Sequence, residues 1–167
     1  MFQKKKIKKA FIQFVTDNQA DLFRFAYSYV KNQQDALDVV QESIRKGLSS
    51  IHTIEDESVI KSWMYRIVIN TSIDSIRKNN KIQLMEDETI ELHIQGETEK
   101  YENIDLKNAI ESLPQMYRVI ITLRFFEDMK FEEIANVLEE NVSTIKTRLY
   151  KALKLLKIEL EDIYQED

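Results

Sequence analysis

The chain has 167 residues, with 24 basic and 29 acidic side chains, a formal net charge of −5 and 43% hydrophobic residues. This length suffices for one domain or two small ones, each with its own core. Because cysteine is absent, disulfides, thiol nucleophiles and cysteine zinc sites are excluded, and the two isolated histidines, His52 and His93, do not suggest a metal site. No apolar run reaches the roughly 18 residues of a membrane span, and no apolar segment of a signal peptide follows the lysine-rich start. We therefore expect a cytoplasmic protein.

Helix-breaking residues are scarce, and charge divides the chain into three parts. Two glycines and one proline favour an all-α architecture. Residues 1–80 carry thirteen basic and nine acidic side chains, residues 81–100 carry two and six, and residues 101–167 carry nine and fourteen. The middle part has no sustained helical period. We predict an acidic linker at 81–100 between two small helical domains, 1–80 and 101–167, the alternative being a surface loop within one domain.

The aromatic-rich segment 21–30 predicts a core helix, with Leu22, Phe25, Ala26 and Tyr29 on its buried face. The following segment predicts a second helix whose apolar stripe comprises Leu37, Val40, Ile44, Leu48 and Ile51. Its outward positions are Asp35, Asp38, Glu42 and Lys46, with Gln41 and Arg45 at the boundary. An acidic face of this kind is either simply solvated or a docking surface for a protein.

The third predicted helix carries a polar stripe along an otherwise apolar segment. Arg66, Asn70, Asp74 and Arg77 follow a spacing of four, four and three, and Trp63 lies beside them. One interpretation is a structural network within the helix, joining Asp74 to Arg77 and Asn70. The other is contact of Arg66, Asn70 and Trp63 with a nucleic-acid groove or single strand, where an indole can stack on a base. The residues alone leave both open.

Residues 131–157 predict a helix-turn-helix. The inner faces comprise Ile134, Ala135 and Leu138 in the first helix and Val142, Ile145, Leu149, Leu153 and Leu156 in the second. Asn141 is the predicted N-cap, and the outward residues are Ser143, Thr147, Tyr150, Lys151 and Lys154. Residues 142–157 contain five basic residues and no acid, although the surrounding domain is acidic. This pattern indicates DNA binding, the alternative being an amphipathic hairpin with a solvated lysine face.

Three segments, in this order, resemble conserved segments of bacterial sigma factors of the extracytoplasmic-function group. They are DALDVVQES (35–43), SWMYRIVINTSIDSIRK (62–78) and the segment 111–156. Together they extend the resemblance over about residues 20–157. The resemblance implies a fold of two small helical domains, sigma region 2 and sigma region 4, the second containing the helix-turn-helix.

The resemblance also implies a function and a set of contact residues. By this resemblance, the residues that bind the clamp helices of the polymerase beta-prime subunit are Asp38, Gln41 and Glu42. Contact with the minus-ten element falls to Lys61, Trp63, Arg66 and Asn70, with the loop 52–60 placed to capture an unstacked base. The residues that it implies in contact with the minus-thirty-five element are Ser143, Thr144, Lys146, Thr147, Arg148 and Lys151. The helices before the last one would pack on the polymerase beta flap.

The implied protein is a subunit that binds core RNA polymerase and promoter DNA and directs promoter-specific initiation of transcription, in a stress or envelope-signal response. An anti-sigma factor is a further implied partner, whereas no enzyme activity, cofactor, metal or small-molecule substrate is expected. The alternatives are a stand-alone helix-turn-helix regulator and a protein-binding adaptor. The adaptor leaves the basic helix unexplained.

The sequence departs from the family pattern at the turn of the helix-turn-helix. Glu139 stands where the family usually has glycine, and Glu140 follows it. A non-glycine residue in a left-handed turn costs on the order of 1 kcal/mol. The loop 52–60 is also acidic, since it contains Glu55, Asp56 and Glu57, so we expect polar contacts rather than charge to capture DNA there.

Overall fold

The computed structural model describes residues 1–85 and 101–165, and all regular structure within these two stretches is helical. The eight α-helices are α1 (Phe2–Asp17), α2 (Gln19–Val30), α3 (Gln33–Ser50), α4 (Ile60–Met85), α5 (Tyr101–Ser112), α6 (Gln115–Ile121), α7 (Phe131–Leu138) and α8 (Val142–Gln165). Two short 3₁₀ turns connect α3 to α4, and a π-helical turn, Thr122–Phe126, follows α6. Residues 81–85 of the predicted acidic linker instead continue α4, and residues 86–100 lie outside the described residues. Across both described stretches, every helix is too short or too polar to cross a bilayer.

The N-terminal helices pack around α2, whose buried face was predicted from its sequence. Leu22, Phe25 and Ala26 are fully buried and Tyr29 is 8% exposed, which confirms that face. Phe25 lies edge-on to Tyr29, with ring centroids 5.5 Å apart, and tilted against Tyr65 of α4 at 5.0 Å. This aromatic cluster joins α2 to α4 and fixes the position of α4 in the domain.

Helix α1 was not predicted from the sequence. It buries Ile7, Phe11 and Val15, which recur at a spacing of four within a lysine-rich segment. The ring of Phe11 packs edge-on against Trp63 of α4, with centroids 5.9 Å apart. Helix α1 therefore covers the start of α4, which includes two of the predicted minus-ten residues.

The predicted buried stripe of α3 was wrong at two positions, since Leu37 and Leu48 are 47% and 42% exposed. Small side chains on α3 explain why the helix buries a different face from the predicted one. A Cβ atom added at Gly47 would lie 2.6 Å from Cζ of Phe11, so the helix approaches α1 more closely than a leucine face allows. The residues that α3 buries are Ala36, Val39, Val40, Ser43 and Gly47.

The C-terminal helices form a second group around α6 and α8. Ile120 and Leu123 are fully buried, as are Ile134 of α7 and Ile145 of α8. The remaining predicted inner positions of α7 and α8 are buried or half-buried, which confirms the faces assigned to the helix-turn-helix. Contacts of α2 with α6 and of α4 with α7 join the two groups of helices.

Candidate nucleic-acid and protein interfaces

The turn between α7 and α8 keeps a left-handed residue although that residue is not glycine. Glu139 adopts a left-handed conformation, with φ 56° and ψ 40°, in the position where the family usually has glycine. Oδ1 of Asn141 accepts a hydrogen bond from the backbone N–H of Thr144 at 2.8 Å, which confirms Asn141 as the N-cap. The cap fixes the direction in which α8 leaves the turn.

The outer face of α8 exposes Ser143, Lys146, Thr147 and Lys151, while Thr144 and Arg148 are half-buried. The hydroxyl of Ser143 donates to Oδ1 of Asn141 at 2.9 Å, and the hydroxyl of Thr147 donates to the backbone oxygen of Ser143 at 2.9 Å. The six predicted minus-thirty-five residues therefore all lie in the first three turns of one helix.

Two cations of α8 are held by neighbouring groups. The guanidinium of Arg148 lies 3.2 Å from Oε1 of Glu140, in the turn of the helix-turn-helix. The ammonium of Lys146 lies 5.5 Å from the centroid of the Phe131 ring in α7. Because Glu140 is bound to Arg148, one of the two acids in the turn is partly neutralised.

The predicted docking surface on α3 consists of Asp38 and Gln41, which are exposed, and Glu42, which is half-buried. Both oxygens of Glu42 accept hydrogen bonds from Arg45, one of them at 2.9 Å from Nε. The hydrogen bond from Arg45 holds the pKa of the Glu42 carboxyl below its ordinary value. The carboxylate therefore stays charged and is oriented by its neighbour.

Leu37 and Leu48 belong to this α3 surface, although their helical spacing predicted that they would be buried. They are eleven residues apart, which is three helical turns, so both lie on the side that carries Gln41. The surface thus combines exposed leucines with acidic side chains. Exposed apolar side chains rimmed by polar ones are typical of protein-binding sites.

The four predicted minus-ten residues lie in the first three turns of α4, and three of them have partners within the protein. The ammonium of Lys61 lies 3.4 Å from Oε2 of Glu133. Trp63 is half-buried against Phe11, and Arg66 donates hydrogen bonds to α7. Asn70 is exposed.

The structural network proposed for the polar stripe of α4 is not the one that forms. Oδ2 of Asp74 lies 4.0 Å from the ammonium of Lys46 in α3, rather than joining Arg77 and Asn70. The same ammonium donates to the hydroxyl of Thr71 at 3.2 Å. Asp74 therefore links α4 to α3, because Lys46 points across the helix crossing.

The loop 52–60 is held by a hydrogen bond within it and by another from α1. Oδ1 of Asp56 accepts from the backbone N–H of Ser58 at 2.9 Å, and this bond lowers the pKa of the Asp56 carboxyl. The side chain of Gln3 in α1 donates to the backbone oxygen of Glu55 at 2.9 Å. Helix α1 thus supports the loop predicted to capture a base.

A buried polar cluster between the two helix groups had no signal in the sequence. The hydroxyl of Tyr65 in α4 donates to Oε2 of Glu127 at 2.8 Å, and Arg24 of α2 lies 3.6 Å from Oε1 of the same carboxylate. The side chain of Glu127 is 1% exposed. Burial raises the pKa of Glu127 to about 7, although the Tyr65 hydroxyl and Arg24 oppose the rise.

Arg118 forms a second buried link between the groups. Its Nε donates to the backbone oxygen of Ser28 near the end of α2, and its Nη1 donates to the backbone oxygen of Leu113 at 2.9 Å. These carbonyls lie at the carboxyl ends of α2 and α5, where intrahelical donors are lacking and the dipole favours a cation. Burial lowers the pKa of Arg118.

Within residues 1–85 and 101–165, no three His, Asp or Glu side chains come together as they would around a metal ion.

Comparison with known proteins identifies the two groups of helices. Residues 14–82 match the family model of sigma-70 region 2, and residues 104–156 match that of sigma-70 region 4. RNA polymerase sigma factor SigV of Bacillus subtilis is 51% identical over 160 residues, spanning 96% of each chain. ECF RNA polymerase sigma factor SigW of the same organism is 26% identical, over 98% of this chain and 99% of the relative.

Two solved structures share the fold. The sigma factor RpoE in complex with the anti-sigma factor NepR from Bartonella quintana superposes with a TM-score of 0.79 at 24% identity, covering 92% of this chain and 98% of that one. CnrH in complex with the cytosolic domain of CnrY gives 0.71 at 20% identity, covering 96% of each chain. The chain therefore belongs to the RNA polymerase sigma factors of the extracytoplasmic-function (ECF) group, which direct promoter-specific initiation of transcription.

Proposed function

We propose that three surfaces of this sigma factor bind three different targets. Helix α3 binds core RNA polymerase, the start of α4 contacts the minus-ten element, and the start of α8 reads the minus-thirty-five element. The supporting observation is the capped first turn of α8, which presents a basic, acid-free face on a rigid helix-turn-helix. Residues 1–80 and 101–167 would form the two functional domains, with 81–100 as their linker. The chain itself would catalyse no reaction.

The α3 surface fits a protein partner better than DNA. Asp38 and Glu42 are acidic and would repel phosphates, whereas exposed Leu37 and Leu48 can be buried by a partner. Steering by the carboxylates and burial of the leucines would act together in binding the clamp helices of the beta-prime subunit. A stand-alone regulator that acts without binding polymerase would not need this protein-binding surface.

The start of α4 fits opened promoter DNA. Lys61 and Arg66 supply cations in the first two turns of α4, and Asn70 is an exposed amide that can hydrogen-bond a base edge. Trp63 contacts Phe11 on one side, so only the remaining part of its indole is available to a base. We therefore assign direct contact to Lys61, Arg66 and Asn70, and give Trp63 a mixed role in packing and stacking.

The relatives suggest the regulation of this protein. RpoE of Bartonella quintana and CnrH are each seen bound to a partner, an anti-sigma factor and the cytosolic domain of CnrY respectively. We propose an anti-sigma factor for this chain as well, acting in a stress or envelope-signal response.

Run-off transcription tests the proposal. Purified core polymerase, with and without this chain, transcribes a library of genomic promoter fragments, and sequencing of the transcripts maps the start sites. We expect starts that depend on this chain and share two upstream elements. If the chain adds no start sites, it is not a functional sigma factor for that polymerase.

Variants then test the assignment of α4. Holoenzyme carrying Arg66→Ala or Asn70→Ala should open a mapped promoter less well, as measured by permanganate reactivity, while binding core polymerase normally. Lys78→Ala, an exposed cation farther along α4, is the matched control. Normal opening by both variants would remove the start of α4 from minus-ten contact.

A further inference from the structure

A cavity of about 430 Å³ lies between α2 and the helices α5 and α6. Its apolar walls are formed by Tyr27 of α2, by Leu106 and Ile110 of α5, and by Phe126 of the π-helical turn. A single buried water needs only about 10–15 Å³, and protein interiors contain few larger voids. Binding sites for small molecules are typically clefts of about 300–1,000 Å³ with mostly apolar walls. The cavity therefore has the size and lining of a site for a small organic molecule.

Two hydroxyl groups at the cavity border donate their hydrogen bonds within the protein. The hydroxyl of Ser28 donates to the backbone oxygen of Phe25, and that of Thr122 donates to the backbone oxygen of Arg118 at 2.9 Å. Recognition of a sugar or a nucleobase depends on polar groups that are placed to bond the ligand. The walls of this cavity are better suited to an apolar body than to a polyhydroxyl compound.

The charged side chains at the border of the cavity are mostly positive. Among the described residues there, one is acidic, Glu111, and four are basic: Arg24, Lys31, Lys107 and Arg118. Burial and the nearby guanidinium of Arg118 lower the pKa of Lys31, as expected where cations lie close together in a partly desolvated place. A bound anion would offset this repulsion.

Two lysines are placed to hold an anion at the cavity border. The ammonium of Lys107 lies 5.6 Å from the centroid of the Tyr27 ring. The ammonium of Lys31 donates to a backbone oxygen in the last turn of α5 at 2.7 Å, which uses one of its three N–H groups. Arg24, by contrast, already faces the buried carboxylate of Glu127 at 3.6 Å. Cation–π contacts are weaker than charge-assisted hydrogen bonds, so a carboxylate can replace the Tyr27 ring as the partner of Lys107.

We propose that this cavity binds a small amphipathic anion, a carboxylate on an apolar body. The apolar part lies between Tyr27, Ile110 and Phe126, and the carboxylate lies at Lys31 and Lys107. The ligand touches α2 on one side and α5 on the other, so its binding stabilises the packing of these helices. The site is separate from the surfaces of α3, α4 and α8, and the inference does not rest on the functions proposed for them.

Sodium decanoate is the probe, at concentrations at which it stays monomeric. Isothermal titration calorimetry on the full chain should show saturable binding of one molecule, and the melting temperature should rise with decanoate concentration. Decyltrimethylammonium, which has the same chain length but a cationic head group, should bind about tenfold more weakly or worse. The absence of saturable decanoate binding would overturn the site, and equal binding of the two amphiphiles would overturn its preference for an anion.

Variants of the walls then test the location of the site. Leu106→Glu, at a 40% exposed position of α5, places a carboxylate at the cavity border and should weaken decanoate binding about tenfold. Met116→Glu, at a 45% exposed position of α6 away from the cavity, is the matched control and should bind decanoate normally. Ile110→Trp fills the cavity and should abolish binding. Circular dichroism checks folding, and Leu106→Glu at its exposed position should fold even if Ile110→Trp does not.

Further measurements test the anion contact and the source of the ligand. Lys107→Gln should weaken decanoate binding about fivefold, whereas Lys78→Gln, which removes an exposed cation of α4, should not. Equal effects of the two lysine changes would mean non-specific attraction to positive charge. Normal decanoate binding by folded Leu106→Glu would place the decanoate elsewhere and overturn the assignment. Binding to vesicles of phosphatidylglycerol without binding of monomeric decanoate would overturn a free small molecule in favour of a lipid surface.

Discussion

Replacing Arg118 with methionine should destabilise the protein strongly, although the side chain contacts no proposed partner. The substitution keeps most of the volume but removes the donors to the backbone oxygens of Ser28 and Leu113. A buried polar group left without a partner costs about 1–3 kcal/mol, so two give about 2–6 kcal/mol. Methionine recovers part of this because a buried charge is no longer desolvated. We expect a net loss of about 2–4 kcal/mol in the free energy of unfolding.

Urea unfolding followed by circular dichroism measures this loss. Arg118→Lys keeps the charge but lacks the forked guanidinium that reaches both carbonyls. Its free energy of unfolding should therefore lie between those of the unchanged protein and Arg118→Met. Arg77→Met, at an exposed position of α4, should change stability by less than about 0.5 kcal/mol. If Arg118→Met unfolds within that margin of the unchanged protein, water satisfies the two carbonyls and the arginine does not hold the helix ends together.

Three further predictions concern the buried acid and the two proposed partner surfaces. The pKa of Glu127, about 7, exceeds its ordinary value, so this carboxyl favours the folded protein most at low pH and loses that contribution as pH rises through 7. The melting temperature of Glu127→Gln relative to the unchanged protein should therefore rise between pH 5.5 and pH 8, and a constant difference would contradict a raised pKa. Asp38→Lys with Glu42→Lys should weaken core-polymerase binding in a pull-down without changing the circular dichroism spectrum, because charge reversal opposes docking; unchanged binding would exclude α3 as the docking surface. Binding of holoenzyme is compared on intact and scrambled minus-thirty-five elements. Lys151→Ala should lose roughly 1–3 kcal/mol of the preference for the intact element. Arg148→Ala should bind both elements more weakly, and the slope of log K against log salt concentration should fall by about one. If both variants retained affinity and preference, α8 would not read this element.

The sequence predicted the parts of the fold that depend on neighbouring residues. The buried face of α2, the inner faces of α7 and α8, and the Asn141 cap are all set by periodicity or by side chain to backbone contacts a few residues apart. These predictions are correct because tertiary packing favours the same conformation as the local sequence.

The errors arose where packing between distant segments decided the outcome. The leucines of α3 fit a helical stripe, yet the approach of α1 to Gly47 selected the small-residue face and left Leu37 and Leu48 in solvent. Helix α1 was missed because its lysines obscured a short apolar stripe. The assignment of contacts to individual polymerase- and DNA-binding residues remains a prediction.

The contacts between the two helix groups could not have been read from sequence patterns, because most of them use backbone oxygens. Tyr65 and Glu127 are 62 residues apart, and Arg66 and Asn136 are 70 apart, so no local spacing connects them. An arginine placed for a phosphate is equally suited to the carbonyls at the end of a helix, since both offer oxygen acceptors with negative potential. A residue predicted to contact DNA can therefore have an internal partner that its own sequence pattern does not indicate.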